Sequence, residues 1–289
     1  MIKYFIGLEI TRSDEGIYIN QRKYIMDILT DTGMEKAKSA PFPLPRGLHL
    51  TIDEGEILPE PEVYRTLIGR MLYLNITRPD LSYAVQHLSQ FLSTPRQPHL
   101  QAAMHVVRYL QGTADTVLFY PADTDLQLRA FCDADWGSCR FTCKSLIGHC
   151  VFLGNSAISW KTKKQKTVSK SSAEPEYRSM SYTAGEIVWL IGILRDFQVN
   201  VPLPVQLNCD NKAAQHIAAN PVFHERIKHL NIDCHYVRVK IQEGVLYTTY
   251  VKSGMQIADL MTKPLGQDQH FFLSSKLGLL FDILKANPT

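Results

Sequence analysis

Four widely spaced carboxylates, Asp133, Glu176, Asp210 and Asp259, carry the strongest chemical signal in this chain of 289 residues. Brought to one place they would repel strongly, and divalent cations are the usual means of holding such a group. Two Mg²⁺ ions, or Mn²⁺ in their place, would offset the four negative charges. A pair of ions also has a chemical use, since one lowers the pKa of an attacking water while the other stabilises the leaving oxygen of a phosphodiester. Taken singly, each acid has an ordinary reading as a capping or surface residue, and Asp210 and Asp259 suit helix termini. The four together, in this order, point to a metal site.

Charge distribution supplies a second signal. The net charge is only +3, yet no acidic residue occurs from Trp136 to Ala173, while Arg140, Lys144, Lys161, Lys163, Lys164, Lys166 and Lys170 all fall there. Ordinary surfaces intersperse both signs, so a polyanion is the natural partner of this stretch. The six cysteines contain no C-x-x-C pair and read as reduced, half-buried thiols; Cys139 and Cys143 near His149 lack an obvious fourth zinc ligand. His224, Glu225 and His229 imitate an H-E-x-x-H protease motif, but the histidines are five apart instead of four, so the second is rotated about 140° from the first. His229 and Asp233 share a helical face and read as a structural pair. The longest apolar stretch, Ile187 to Leu194, is far short of the roughly 20 residues a membrane span needs, and MIKYFIGLEI does not read as a secretory signal.

The elements that must position these groups follow from hydrophobic period and turn residues. Residues 4–20 predict a hairpin, and Tyr24, Ile25, Ile28 and Leu29 predict a helix stopped near Gly33. Five prolines between 41 and 61 mark an irregular connection, followed by helices at about Val63 to Leu74, Asp80 to Leu92 and Leu100 to Gln111. From about residue 115 the pattern turns to three consecutive strands, LQLRAFCDAD, GHCVFLG and AISWKT. A long helix from about Ala173 to Phe197, the strand PVQLNCD, two helices, the strand LYTTYV and a final helix near Met255 complete the chain. The order β-β-β-α-β-α-α-β-α predicts an α/β fold, a mixed five-stranded sheet with helices upon it, in a domain of residues 115–289 behind a mostly helical domain of residues 1–114. It puts Asp133 on the first strand, Glu176 near the start of the long helix, Asp210 at the end of the fourth strand and Asp259 in the last helix.

The segments FCDADW, SWKTKKQKTVSKSSAEPEY, LNCDNKAAQHIAANPVFHERIKHLNIDCHYVR and IADLMTKPLG resemble the ribonuclease H domain that closes the Pol polyprotein of copia-type long-terminal-repeat retrotransposons, plant copies especially. KYFIGLEI, YINQRKYIMDILTDTGM and YRTLIGRMLYLNITRPDLSYAV are similar to the segment between the polymerase palm and ribonuclease H of that polyprotein, a thumb- or connection-like region. The resemblance covers almost the whole chain. It implies a divalent-metal-dependent endonuclease that hydrolyses RNA in RNA/DNA hybrids. Its metal-binding positions fall on Asp133, Glu176, Asp210 and Asp259. By the same resemblance Asp133 would bridge both ions, Glu176 and Asp210 would orient one ion and the attacking water, and Asp259 would hold the other. Lys144, Lys161, Lys163, Lys164, Lys166 and Lys170 would meet backbone phosphates. The implied partners are the hybrid and the rest of the Pol polyprotein, the palm included, in a cytoplasmic virus-like particle, with no membrane. A different class, a non-catalytic nucleic-acid-binding remnant, would keep the basic stretch and lose the metal chemistry.

Three departures matter. The paired aspartates of the polymerase are absent from this chain, so no DNA synthesis is expected of it. Pro175 stands directly before Glu176 where relatives have alanine, and a proline there is expected to disturb the aim of Glu176 and slow cleavage. Lys252, Ser253 and Gly254 occupy a loop where cellular ribonucleases H carry a histidine used for turnover, a departure from the cellular enzymes that relatives of this element share.

Overall fold

Alternating apolar residues separated by turns build the first strands, β1 (Tyr4–Phe5), β2 (Leu8–Arg12) and β3 (Gly16–Asn20), which pair antiparallel. The computed structural model describes residues 3–219 and 231–281. Helix α1 (Arg22–Asp31) buries Ile25, Ile28 and Leu29, the face read from their spacing, and ends before Gly33, whose φ of +66° suits glycine. After the proline-rich connection come α2 (Pro61–Leu74), a short 3-10 turn at Pro79–Leu81, α3 (Ser82–Ser89) and α4 (Gln97–Gly112). Pro61 and Pro98 lie in the first turns of their helices, where the missing N–H has no intrahelical partner to lose. Leu67, Ile68, Met71, Val85, Val106 and Leu110 form the core of this unit. Within it, Arg78 and Asp80 make a buried ion pair at 2.7 Å, which Tyr109 and Thr113 complete by hydrogen bonding.

The chain then crosses through β4 (Val117–Pro121) into the long strands β5 (Leu128–Cys139), β6 (Lys144–Leu153) and β7 (Ser156–Val168). Helix α5 (Ala173–Asp196), β8 (Val205–Cys209), α6 (Lys212–Ala219), α7 (Asn231–Gln242), β9 (Leu246–Tyr250), a 3-10 turn at Ser253–Met255 and α8 (Asp259–Thr262) follow. Finally come α9 (Gln267–Lys276) and β10 (Leu279–Leu280). The second sheet runs β7-β6-β5-β8-β9, with β5, β6 and β7 antiparallel and β8 parallel to both β5 and β9. This is the mixed sheet of five strands that the element order predicts. Its core joins Leu128, Ala130 and Val151 of the sheet to Tyr177, Met180, Ala184 and Ile187 of α5.

Two compact units result, residues 1–123 with 264–289, and residues 124–263. The division read from the sequence, 1–114 and 115–289, differs at both ends of the second unit. Strand β4 pairs with β3 and β10 in a sheet ordered β1-β2-β3-β4-β10, so residues up to 123 belong with the first unit. Residues 264–281 return to that unit as well, where His270 lies within hydrogen-bond distance of the Asp80 carbonyl. The sequence pattern did not show this return, because a chain reversal between distant strands leaves no local period.

Candidate metal site and basic strand

Asp133 sits in mid-strand on β5, fully buried, opposite Gly148 of β6. Its neighbour in the sheet, β8, runs parallel and ends at Cys209, so Asp210 emerges beside it at the carboxyl end of the strand. Crevices at the carboxyl ends of parallel strands are where α/β sheets receive ligands. Glu176 comes from the first turn of α5 and is buried. Asp259 opens α8, which approaches β6 closely enough that a Cβ at Gly148 would lie 2.4 Å from Met261 Cβ. Glycine at 148 is therefore what lets α8 reach the sheet.

The four predicted acids meet in two overlapping sets. Carboxylate oxygens of Asp133, Asp210 and Asp259 lie within 4.8 Å of one another, as do ligand atoms of Glu176, Cys209 and Asp210. Asp210 belongs to both. Lys263, four residues after Asp259, places its Nζ 2.8 Å from Asp259 Oδ1 and 3.1 Å from Asp133 Oδ1. The Thr262 hydroxyl donates to Asp133 Oδ2, and the Ser253 hydroxyl donates to Asp210 Oδ2 at 3.1 Å. Gln256 ties the loop before α8 to β5 by donating to the Cys132 carbonyl at 3.0 Å.

Burial and mutual repulsion set the electrostatics. Glu176 is held far above the ordinary carboxylate range, first by burial and then by the charges of Asp133, Cys209 and Asp210. Asp259 is raised by burial and by Asp133, against the opposing pull of Lys263, and Asp210 is raised by burial and Asp133. Burial also pushes Asp135, the second acid of the FCDADW segment, up to about 6. For Lys263 burial alone would favour the neutral amine, but Asp133 and Asp259 outweigh it and hold the ammonium above its usual range. Carboxylates that resist ionising beside one another, with their oxygens turned to a common point, are a donor set suited to a hard divalent cation.

Sequence reasoning found the four acids and missed Asp135, Cys209, Ser253, Gln256, Thr262 and Lys263. Only Lys263 had a local signal, its i,i+4 spacing from Asp259 on a helix. Pro175 lies in the first turn of the helix that carries Glu176. It is the third residue of α5, so no intrahelical hydrogen bond is lost, and its carbonyl accepts from Gln165 Nε2 at 3.1 Å.

The basic residues are less unified than their sequence clustering suggests. Lys161, Lys163, Lys164 and Lys166 all lie on β7, an edge strand; Lys144 begins β6, and Lys170 follows β7. Lys163 donates to the Tyr182 hydroxyl at 2.6 Å, with its Nζ 4.3 Å from that ring, while Lys164 Nζ is 3.6 Å from Cys139 Sγ. Lys163, Lys164 and Lys166, with Arg178 and Tyr182 of α5, line a cavity of about 230 Å³ that Asp233 also borders. Lys144, Lys161 and Lys170 are not among its lining residues. The histidines of the H-E-x-x-H imitation, and the His229 side of its pair with Asp233, lie outside the described residues.

No protein-family model matches the chain. It is 40% identical over 278 residues, 96% of its length, to the retrovirus-related Pol polyprotein from transposon RE1 of Arabidopsis thaliana. This chain belongs to the copia-type retrotransposon Pol polyproteins. It spans about a fifth of such relatives, 19% of the Arabidopsis polyprotein and 21% of that from transposon TNT 1-94 of Nicotiana tabacum, to which it is 29% identical over 95% of its length. Among solved structures, the N-terminal ribonuclease H domain of rv2228c from Mycobacterium tuberculosis aligns with 52% of this Pol segment and 98% of its own chain, at 12% identity and a TM-score of 0.36. In this Pol segment the second unit carries all four acids. None of its helices, among the described residues, is long and apolar enough to cross a membrane.

Proposed function

We propose that the second unit is a metal-dependent endonuclease that hydrolyses the RNA strand of an RNA/DNA hybrid. The observation that carries this reading is the gathering of Asp133, Glu176, Asp210 and Asp259, drawn from separate parts of the unit, into two largely buried sets that share Asp210. Structural acids are seldom gathered in this way, because each added charge raises the cost of the next. Asp133 and Asp259 would hold one ion and Glu176 and Asp210 the other, with Asp210 within reach of both sets. When bound, Mg²⁺ or Mn²⁺ supplies an activated water and stabilises the leaving oxygen of a phosphodiester.

The residues around that point have definable tasks. Thr262 and Ser253 orient one carboxylate each through their hydroxyls. The fully buried Asp133 cannot swing to solvent, so it fixes the centre of the site. Thr162 of β7 donates to the Met261 carbonyl at 2.7 Å, which joins the lysine-bearing strand to the helix of Asp259. Lys161, Lys163, Lys164 and Lys166 of that strand are the residues proposed to meet the phosphates of a polyanion laid across the acids. Phosphate contacts of this kind fix the register of a duplex without reading its sequence. Descent from a Pol polyprotein supports the hybrid as substrate and the remainder of that polyprotein, the palm included, as partner.

Cleavage of a labelled hybrid by the full chain tests the reading. Cleavage is expected only with Mg²⁺ or Mn²⁺, and Asp133→Asn is expected to abolish it while hybrid affinity stays within about threefold, because binding rests on the lysines. Activity in excess chelator would remove the acids from the mechanism. Metal-independent hybrid binding without cleavage by the unaltered chain would favour a catalytically decayed binding remnant.

A further inference from the structure

The acid cluster is not symmetric. On the Glu176 and Asp210 side its neighbours are the Cys209 thiol, 3.9 Å from Glu176 Oε2, and the Ser253 hydroxyl. On the Asp133 and Asp259 side a full positive charge is already seated, the Lys263 ammonium, 3.1 and 2.8 Å from one oxygen of each. Among the described residues it is the one cation within ion-pair distance of these four acids. A Mg²⁺ ion held by the same two carboxylates would sit about 2.1 Å from their oxygens. That position overlaps the place of the ammonium, and two like charges so close repel one another.

The two partners differ in freedom. Asp133 has no exposed surface, whereas the Lys263 side chain is 32% exposed and has a route to water. Its backbone is secured, since Lys263 N–H donates to the Asp259 carbonyl at 3.0 Å and caps α8 in an extended conformation. The ammonium can therefore leave while the main chain stays. We propose that Lys263 is a tethered cation that fills the Asp133–Asp259 side of the site in the metal-free protein and is displaced by the ion that binds there, so that the two ions bind with unequal affinity. This rests on the two-ion nuclease reading. It gives the polyprotein a way to keep a four-acid cluster folded before metal arrives, and it makes the second ion the one that completes the site.

Calorimetric titration of the full chain with Mn²⁺ decides it, alongside melting in chelator. Wild type is expected to show a tight and a weak site. Lys263→Gln is expected to tighten the weak one by at least about tenfold, since the ion no longer competes with a charge. The same variant should melt lower in chelator and recover with Mn²⁺, because the acids have lost their counter-charge. Lys263→Arg, which keeps the charge, should bind Mn²⁺ no more tightly than wild type and serves as the folded control. Unchanged or weakened Mn²⁺ binding by folded Lys263→Gln would overturn the proposal while leaving the nuclease reading standing, and so would tighter binding by Lys263→Arg. Absence of Mn²⁺ binding by the wild type would overturn both.

Discussion

At the scale of single residues, the proposed metal site around Asp133 would couple proton release to the binding of an ion. Glu176 and Asp259 have folded-state pKa values above those of the unfolded chain, Asp259 reaching about 7. Without bound metal the folded protein therefore binds more protons than the unfolded one from about pH 4 up to about pH 7 for Asp259 and about pH 10 for Glu176, and stability from these groups is present at low pH and lost as pH rises through that window. Divalent ions reverse the penalty by displacing those protons. The rise in melting temperature on saturating with Mg²⁺ is thus expected to be small near pH 5 and to grow through pH 7, and a rise independent of pH would show that the acids do not bind the ion. The comparison with and without Mg²⁺ also cancels His149, whose pKa burial lowers to about 4, with Glu186 and Lys161 acting in opposite senses. Pro175 gives a second expectation. Residues before proline avoid helical geometry, yet Glu174 is helical here, held by the Lys170 N–H at 2.8 Å and by Arg178 at 2.8 Å. With its neighbour secured and no helical hydrogen bond lost, Pro175→Ala should alter single-turnover cleavage by less than about threefold, roughly 0.7 kcal/mol of barrier. A rise of tenfold or more would mean that the ring does displace Glu176.

At the scale of elements, β7 has two uses for its lysines. A strand of 13 residues on a sheet edge invites pairing with another chain, and lysines blunt such an edge whatever else they do. Phosphate binding makes a different demand, which salt dependence measures: removing one lysine–phosphate interaction should flatten the log-log slope of hybrid affinity against salt by roughly 0.7 to 0.9. Lys166→Ala is expected to do so fully, because Lys166 is exposed and lines the cavity with Arg178. Lys164→Ala should have less effect, since that ammonium already faces the Cys139 sulfur. Equal slopes for all variants would leave edge protection as the lysines' role. The strand itself was legible as alternating residues after Ser156, but its extension through the lysine run to Val168 was not, because a run of like charges carries no two-residue period. The same reasoning explains the site. Asp133, Glu176, Asp210 and Asp259 could be found from element order alone, since each sits at a strand position or helix start. Gln256 and Ser253 could not, because they act from a loop whose path depends on how closely α8 approaches Gly148.

At the scale of the whole molecule, the chain is a segment of a longer polyprotein family, and where its units divide decides which pieces stand alone. Residues 115–289, the domain read from the sequence, would carry β4 away from β3 and would bring α9 and β10 without the core they join. Val117, Leu118, Leu273, Leu277 and Leu279 are all buried in the intact chain, and such a fragment would leave them with few partners. Exposed apolar patches of that kind promote association. Residues 124–263 contain the complete five-stranded sheet, α5 to α8, all four acids and Lys263. We therefore propose 124–263 as the independently folding unit. Expressed alone, it should elute as a monomer, unfold in one transition and retain the melting-temperature rise with Mg²⁺, whereas 115–289 should self-associate at the same concentration. Size-exclusion chromatography and thermal unfolding with and without Mg²⁺ separate the two boundaries. A monomeric, cooperative 115–289 beside an unfolded 124–263 would mean that β4 and the returning segment stabilise the nuclease-like sheet as much as their own, and the boundary near residue 115 would stand.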